Sequence, residues 1–144
     1  MRIQLGVILL ASLPAYGQPR PPAATTQVTN AESAAPAPLV LHFSEGSAAI
    51  RPEDEGVLDH AARLFRDGNP IVMVVSGATD SVGSAGGNLR LSEARAHATL
   101  RGLAARGIPV GRLQIVAKGA TEPAVAGRAG EPTPENRRVE ISWR

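Results

Sequence analysis

From Leu39 to Arg144 the chain alternates short β-prone runs with two helical stretches, and that order limits the fold more than any other feature. "LVLHF" (39–43) alternates as a half-buried strand does. "SEGSAAI" then leads into a helix whose first turn carries Pro52, Glu53, Asp54 and Glu55. Proline suits a first helical position, and acids favour the positive end of a helix. Val57, Leu58, Ala61, Leu64 and Phe65 recur on one face, and Gly68 is read as the stop. "PIVMVVSG" (70–77) is short, apolar and β-branched, which predicts a buried strand. A second helix is predicted from about Asn88 to Arg106, with Leu91, Ala96, Thr99 and Leu103 on its core face and Gly107 and Pro109 as its stop. "RLQIVAKG" (112–119) is a third strand. A polar Gly/Pro loop follows, from about Ala120 to Glu135. In "RRVEISW", Val139, Ile141 and Trp143 alternate with Arg138, Glu140 and Ser142 as the last strand. The pattern is β-α-β-α-β-β. It predicts an α/β two-layer sandwich, one mixed sheet with two main helices on one face.

The residues before Leu39 read differently. "MRIQLGVILLASLPAYGQ" has an early cation, Arg2, an apolar run from about Leu5 to Leu13, and small residues at Ala15 and Gly17. This is the pattern of a secretory signal peptide over residues 1–17, with cleavage before Gln18. Its apolar run is well short of the ~20 residues a membrane span needs. No transmembrane segment is therefore expected in the mature chain. No cysteine follows, so no lipid attachment is expected there. Residues 18–38 carry five prolines and only two charges, Arg20 and Glu32, without apolar periodicity. Such a stretch buries too little surface to offset its ordering entropy, and it reads as a disordered Pro/Ala-rich linker. Residues 39–144 form the folded domain.

The loop "GATDSVGSAGGNLRLSEARA" (77–96) joins an apolar strand to a helix, the usual setting of a phosphate cradle. Its chemistry argues against that use. A Walker loop requires a lysine, and the chain's one lysine, Lys118, lies far downstream. "GSAGG" does not fit the dinucleotide pattern, and Asp80 at the strand end would repel an anion. Asp80 and Arg95 instead point to a zwitterion. A carboxylate accepts from an ammonium, a guanidinium grips a carboxylate, and Gly83, Gly86 and Gly87 permit close approach. Two plainer readings stand beside this one: an Asp80–Arg95 salt bridge that fixes the loop, or an Asp80 turn cap bonded to its own downstream backbone.

Other chemistry finds little support. The net charge of +2 comes with interspersed signs and no basic stripe, so no nucleic-acid partner is expected. The absence of cysteine removes disulfides, a thiol nucleophile and thiolate metal sites. His42, His60 and His97 are scattered without ligand spacing, so no metal and no cofactor are implied. Ser92 lies in a helix without a nucleophile elbow and reads as a helix-start or packing residue. The acids at 53–55 are explained by their place in a first helical turn. No acid/base pair is placed for hydrolysis, and the chain is not expected to be an enzyme.

The pieces "LHFSEGSAAI", "VSGATDSVGS", "NLRLSEARA", "LAARGIP" and "ENRRVEI" occur in an order and at a spacing that resemble the OmpA-like C-terminal domain family. That family includes peptidoglycan-associated lipoproteins and the periplasmic part of flagellar stator proteins. The resemblance implies a βαβαββ sandwich that binds peptidoglycan without covalent bonds, through the zwitterionic end of diaminopimelate in the stem peptide. It assigns the key aspartate to Asp80 and the key arginine to Arg95. Thr79, Asn88 and Leu91 match positions that line or shape the pocket, and Asn136 and Arg138 match a flanking C-terminal motif. Two departures stand out. Ala78 replaces a usual histidine, and Gly87 replaces a usual larger residue, so bulk is lost near the pocket. The implied setting is the periplasm, in association with the cell wall or outer membrane. The implied partners are peptidoglycan and, beside it, outer-membrane or other envelope proteins. The alternative is a degenerate module that acts through protein partners without binding the wall.

Overall fold

The computed structural model of the protein describes residues 36–144 apart from residue 71. The predicted signal peptide and all but the last three residues of the predicted linker lie outside the described residues. The element order is β1 (Leu39–His42), α1 (Glu55–Gly68), β2 (Met73–Gly77), α2 (Ala85–Ala105), β3 (Leu113–Ala117) and β4 (Arg138–Trp143). The expected βαβαββ order is thus the observed one. The four strands form one mixed sheet in the order β1-β4-β2-β3. β2 and β3 are parallel, and β4 runs antiparallel to both β1 and β2.

The register explains the core. Leu41 lies opposite Val139, Ile141 opposite both Leu39 and Val75, and Val75 opposite Ile115. Strand side chains alternate between faces, so these residues form one continuous apolar surface. Leu58, Ala61 and Ala62 from α1 and Ala96 and Leu103 from α2 join them in the buried core. Gly77 sets how closely the layers meet. A Cβ there would lie 2.0 Å from the Ser92 carbonyl oxygen, so no side chain fits.

Both helix ends differ from the sequence reading. The left-handed position after α1 falls on Asn69 (φ 41°), whose N–H donates to Phe65 O at 2.8 Å; Gly68 is still helical. Asparagine tolerates that conformation because its short polar side chain bonds locally. The second helix begins at Ala85, three residues earlier than expected. Ser84 is its N-cap, accepting from Gly87 N at 3.1 Å. The cap outweighs the poor helical propensity of Gly86 and Gly87. The buried face of α2 runs through Ser92, Arg95, Ala96, Thr99 and Leu103. Leu91 falls off that stripe, half-buried and outside the core, because one residue turns a helix by about 100°. No helix among the described residues is long and apolar enough to cross a membrane.

Candidate functional site

Because β4 is antiparallel to its neighbours, the C-terminal ends of β1, β2 and β3 and the start of β4 share one end of the sheet. The segments 43–51, 78–84 and 118–137 gather there. Ligands of open α/β sheets favour the carboxyl ends of strands, where loops meet over exposed backbone groups. The buried charges of this protein lie at the same end. Asp80, Arg95 and Arg138 are each at most 6% exposed.

Arg95 projects from α2 under the β1–α1 segment and is fully buried. Its Nε donates to Ser47 O at 2.8 Å, Nη1 to Ala78 O at 3.1 Å and Nη2 to Ser44 O at 3.0 Å. The guanidinium also sits 5.3 Å from the centre of the Phe43 ring, within reach of a cation–π attraction. Burial pulls its pKa down to about 10, while the charge of Asp80 holds it up and that of Arg137 lowers it further. It therefore stays cationic at neutral pH. Two of its five N–H donors remain after the three carbonyls are served.

Asp80 is 5% exposed. Its Oδ1 accepts from Val82 N at 3.4 Å, the local turn considered from sequence. Oδ2 accepts from Thr133 N at 3.3 Å and from Arg137 Nη1 at 3.5 Å. The ion pair of Asp80 is with Arg137, and among the described residues no direct pair joins it to Arg95. All three contacts are long beside the ~2.7–2.9 Å typical of charge-assisted bonds. A carboxylate offers about four acceptor directions, so this one has capacity left for a strong donor.

Arg137 is the residue the sequence reading passed over. Its side chain is 14% exposed, pairs with Asp80 at 3.5 Å and Glu45 at 3.9 Å, and leaves its Nε without a partner. It lines an open cleft of about 400 Å³ with His42, Phe43, Ser44, Arg51, Pro134 and Glu135. The alternation of β4 held a signal for it. Arg137 has the parity of Val139 and Ile141, the side of the sheet that carries α2 and Arg95. Arg138 has the parity of Glu140 and donates to it from Nε at 2.7 Å, on the other side.

The remaining predicted positions have distinct places. Arg138 also donates to Glu122 O at 3.4 Å, anchoring the β3–β4 loop. Asn136 clips the same loop through a two-way bond with Val125, both contacts at 2.9 Å. Asn88 is buried in the first turns of α2, with its N–H on Ser84 O. Thr79 is buried behind Asp80, its N–H on Gly119 O and its Oγ1 without a protein partner. Ser92 packs as expected, accepting from Gly119 N at 2.9 Å. Ala78 keeps both backbone groups occupied, its N–H by Arg138 O and its carbonyl by Arg95. No group of three or more His, Asp or Glu side chains among the described residues stands close enough to hold a metal ion.

A mixed four-stranded sheet with two helices and buried charge at its strand ends defines the class as an α/β two-layer sandwich. Residues 42–137 match the model of the OmpA family, and the chain belongs to that family. It is 34% identical over 111 residues to a peptidoglycan-associated lipoprotein of Pseudomonas putida, covering 76% of this chain and 66% of that protein. It is 31% identical over 101 residues to the peptidoglycan-binding protein ArfA of Mycobacterium tuberculosis, covering 70% and 31% respectively. The crystal structure of the peptidoglycan-associated lipoprotein from Burkholderia pseudomallei superposes with a TM-score of 0.68 at 23% identity, covering 73% of this chain and 89% of that one. The chain thus spans less than two thirds of the length of both sequence relatives.

Proposed function

We propose that the protein binds peptidoglycan non-covalently in the cell envelope of its host and helps to anchor or stabilise that envelope. The family membership and the names of its relatives support the polymer as ligand. The observation that carries the site is the weakly satisfied carboxylate of Asp80, buried beside two arginines with three contacts, all of them long. A zwitterionic amino-acid end such as that of diaminopimelate completes this arrangement. Its ammonium donates to Asp80, and its carboxylate meets the cationic side.

The two arginines divide that second task. Arg95 supplies charge from behind the β1–α1 segment and fixes the carbonyls of Ser44, Ser47 and Ala78. Arg137 is the part-exposed cation, its side chain 14% exposed and lining the open cleft, and it offers its charge to a ligand carboxylate there. Thr79 and Asn136 shape the adjoining wall, Asn88 and Leu91 belong to the first turns of α2, and Arg138 acts from the other side of the sheet by anchoring the β3–β4 loop.

Co-sedimentation of the full-length protein with purified, diaminopimelate-containing peptidoglycan tests the reading, with free diaminopimelate as competitor. Retention that is lost in folded Asp80→Asn and relieved by the competitor supports it. Retention that the competitor does not relieve supports wall binding and removes the diaminopimelate assignment. No retention of the folded wild type overturns wall binding and leaves a module that works through protein partners.

A further inference from the structure

Behind Asp80 lies a second cavity, of about 210 Å³, between the β2–α2 turn and the β3–β4 loop. Its walls are Thr79, Ser81, Ala120, Pro123, Gly127, Ala129, Thr133 and Asn136. The volume exceeds several times the ~30 Å³ share of one water, so this is not a single-water site. The walls are tied in place. Ser81 Oγ donates to Arg128 O and accepts from Gly130 N, each at 3.0 Å, and Asn136 holds Val125 on both sides.

We propose that this cavity is a second subsite, one that takes an uncharged amide bearing a small apolar group. The inference rests on the wall-binding reading and deepens it. No charged side chain lines the cavity, so an ion there would lack a counter-charge. Thr79 Oγ1 is buried and has no protein partner, although a buried hydroxyl nearly always finds one. It can donate to a carbonyl or accept from an N–H. Asn136 uses one donor and one acceptor on Val125 and retains one more of each, the complement of an amide. Ala120, Ala129 and Pro123 supply apolar contact for a methyl group. The subsite adjoins the charged one directly: Thr79 precedes Asp80, and Thr133, whose N–H donates to Asp80, lines the cavity. A zwitterion held at Asp80 therefore presents its neighbouring neutral groups here. In a wall polymer such an amide has two sources, the acetamido group of the glycan and the alanyl peptide unit of the stem.

The test is an NMR titration of ¹⁵N-labelled full-length protein with three separate probes: N-acetylglucosamine, N-acetyl-alanine methylamide and free diaminopimelate. One neutral amide is expected to shift the Thr79, Ser81, Gly127 and Thr133 resonances saturably, and which one does so identifies glycan or stem. Thr79→Val should weaken that binding at least fivefold without lowering Tm, since it removes an unpartnered hydroxyl at constant shape. Ala129→Leu fills the cavity; it should abolish the amide response and leave diaminopimelate binding within twofold. The proposal is overturned if neither amide shifts those resonances, or if Thr79→Val binds as the wild type does. The diaminopimelate arm reads the charged site separately, so its failure with an intact amide response would count against the zwitterion assignment alone.

Discussion

At one end of the sheet, Met73 lies opposite both Leu113 and Trp143, and Val72 and Arg144 exchange backbone hydrogen bonds. At the other end the same strands run into Thr79, Asp80, Gly119 and Arg137. The first end is closed by apolar contact and ladder bonds. The second holds buried charge whose partners are mostly loop backbone, and the long contacts of Asp80 leave acceptor capacity unused. Burying polar groups costs free energy unless they are bonded, so the second end is tolerated only where the ordered core next to it fixes its geometry. The difference separates what holds the fold from what is available to a ligand.

The contrast can be broken hardest at Gly77, where the two layers touch. Gly77→Val drives a side chain into the Ser92 carbonyl and should cost more than about 4 kcal/mol, read as collapse of the urea midpoint. Next, Met73→Ala at the apolar end should cost about 3 kcal/mol by cavity formation and leave wall affinity unchanged in the folded fraction. Arg95→Met strands three carbonyls, but two lie on an accessible segment that water can reach. A stability loss of about 2 kcal/mol is expected, together with loss of wall retention in co-sedimentation. Arg137→Gln sharpens the comparison most. Its long contacts predict a stability change within about 1 kcal/mol, yet wall affinity should fall at least about tenfold.

The smallest effect is expected far from the site. The hydrogen bond from Arg106 holds the Asp59 carboxyl below its usual pKa of 3.8. A depressed folded pKa gives stability that is present above the unfolded value and is lost as pH falls through the folded one. Wild type and Asp59→Asn should therefore differ slightly in Tm at pH 7 and converge below about pH 3.8.

The apolar end was the legible one. Alternation in "RRVEISW" and β-branched density in "PIVMVVSG" report directly on strands, because burial imposes period two. The same rule fails for a helix start where a single serine cap outweighs two glycines, as at Ser84. The charged end was legible in its residues but not in their pairing. Asp80 and Arg95 are conspicuous by type, whereas the carbonyls that Arg95 serves are 17 to 51 residues away and belong to backbone that any side chain could have carried. Of two adjacent arginines, the resemblance selected Arg138. Strand parity puts Arg137, not Arg138, on the side that carries Arg95, a distinction visible only once it is known which face carries α2. Thr79 Oγ1 left no trace in sequence, since an unpartnered hydroxyl is defined by its surroundings alone.

Strand β4 enters the sheet between β1 and β2, although it is the last strand in sequence. Leu39 meets Ile141 across about a hundred residues of chain, and closing such a distance is slow compared with local helix formation. The charged pocket takes Arg137 from the residue just before β4, so it does not exist until that closure is complete. Under the proposed function, a ligand held there meets only the finished molecule and favours it by mass action. Saturation with the wall polymer should lengthen the lifetime of the β1–β4 ladder, which hydrogen exchange at Leu41 and Val139 would register as slower opening.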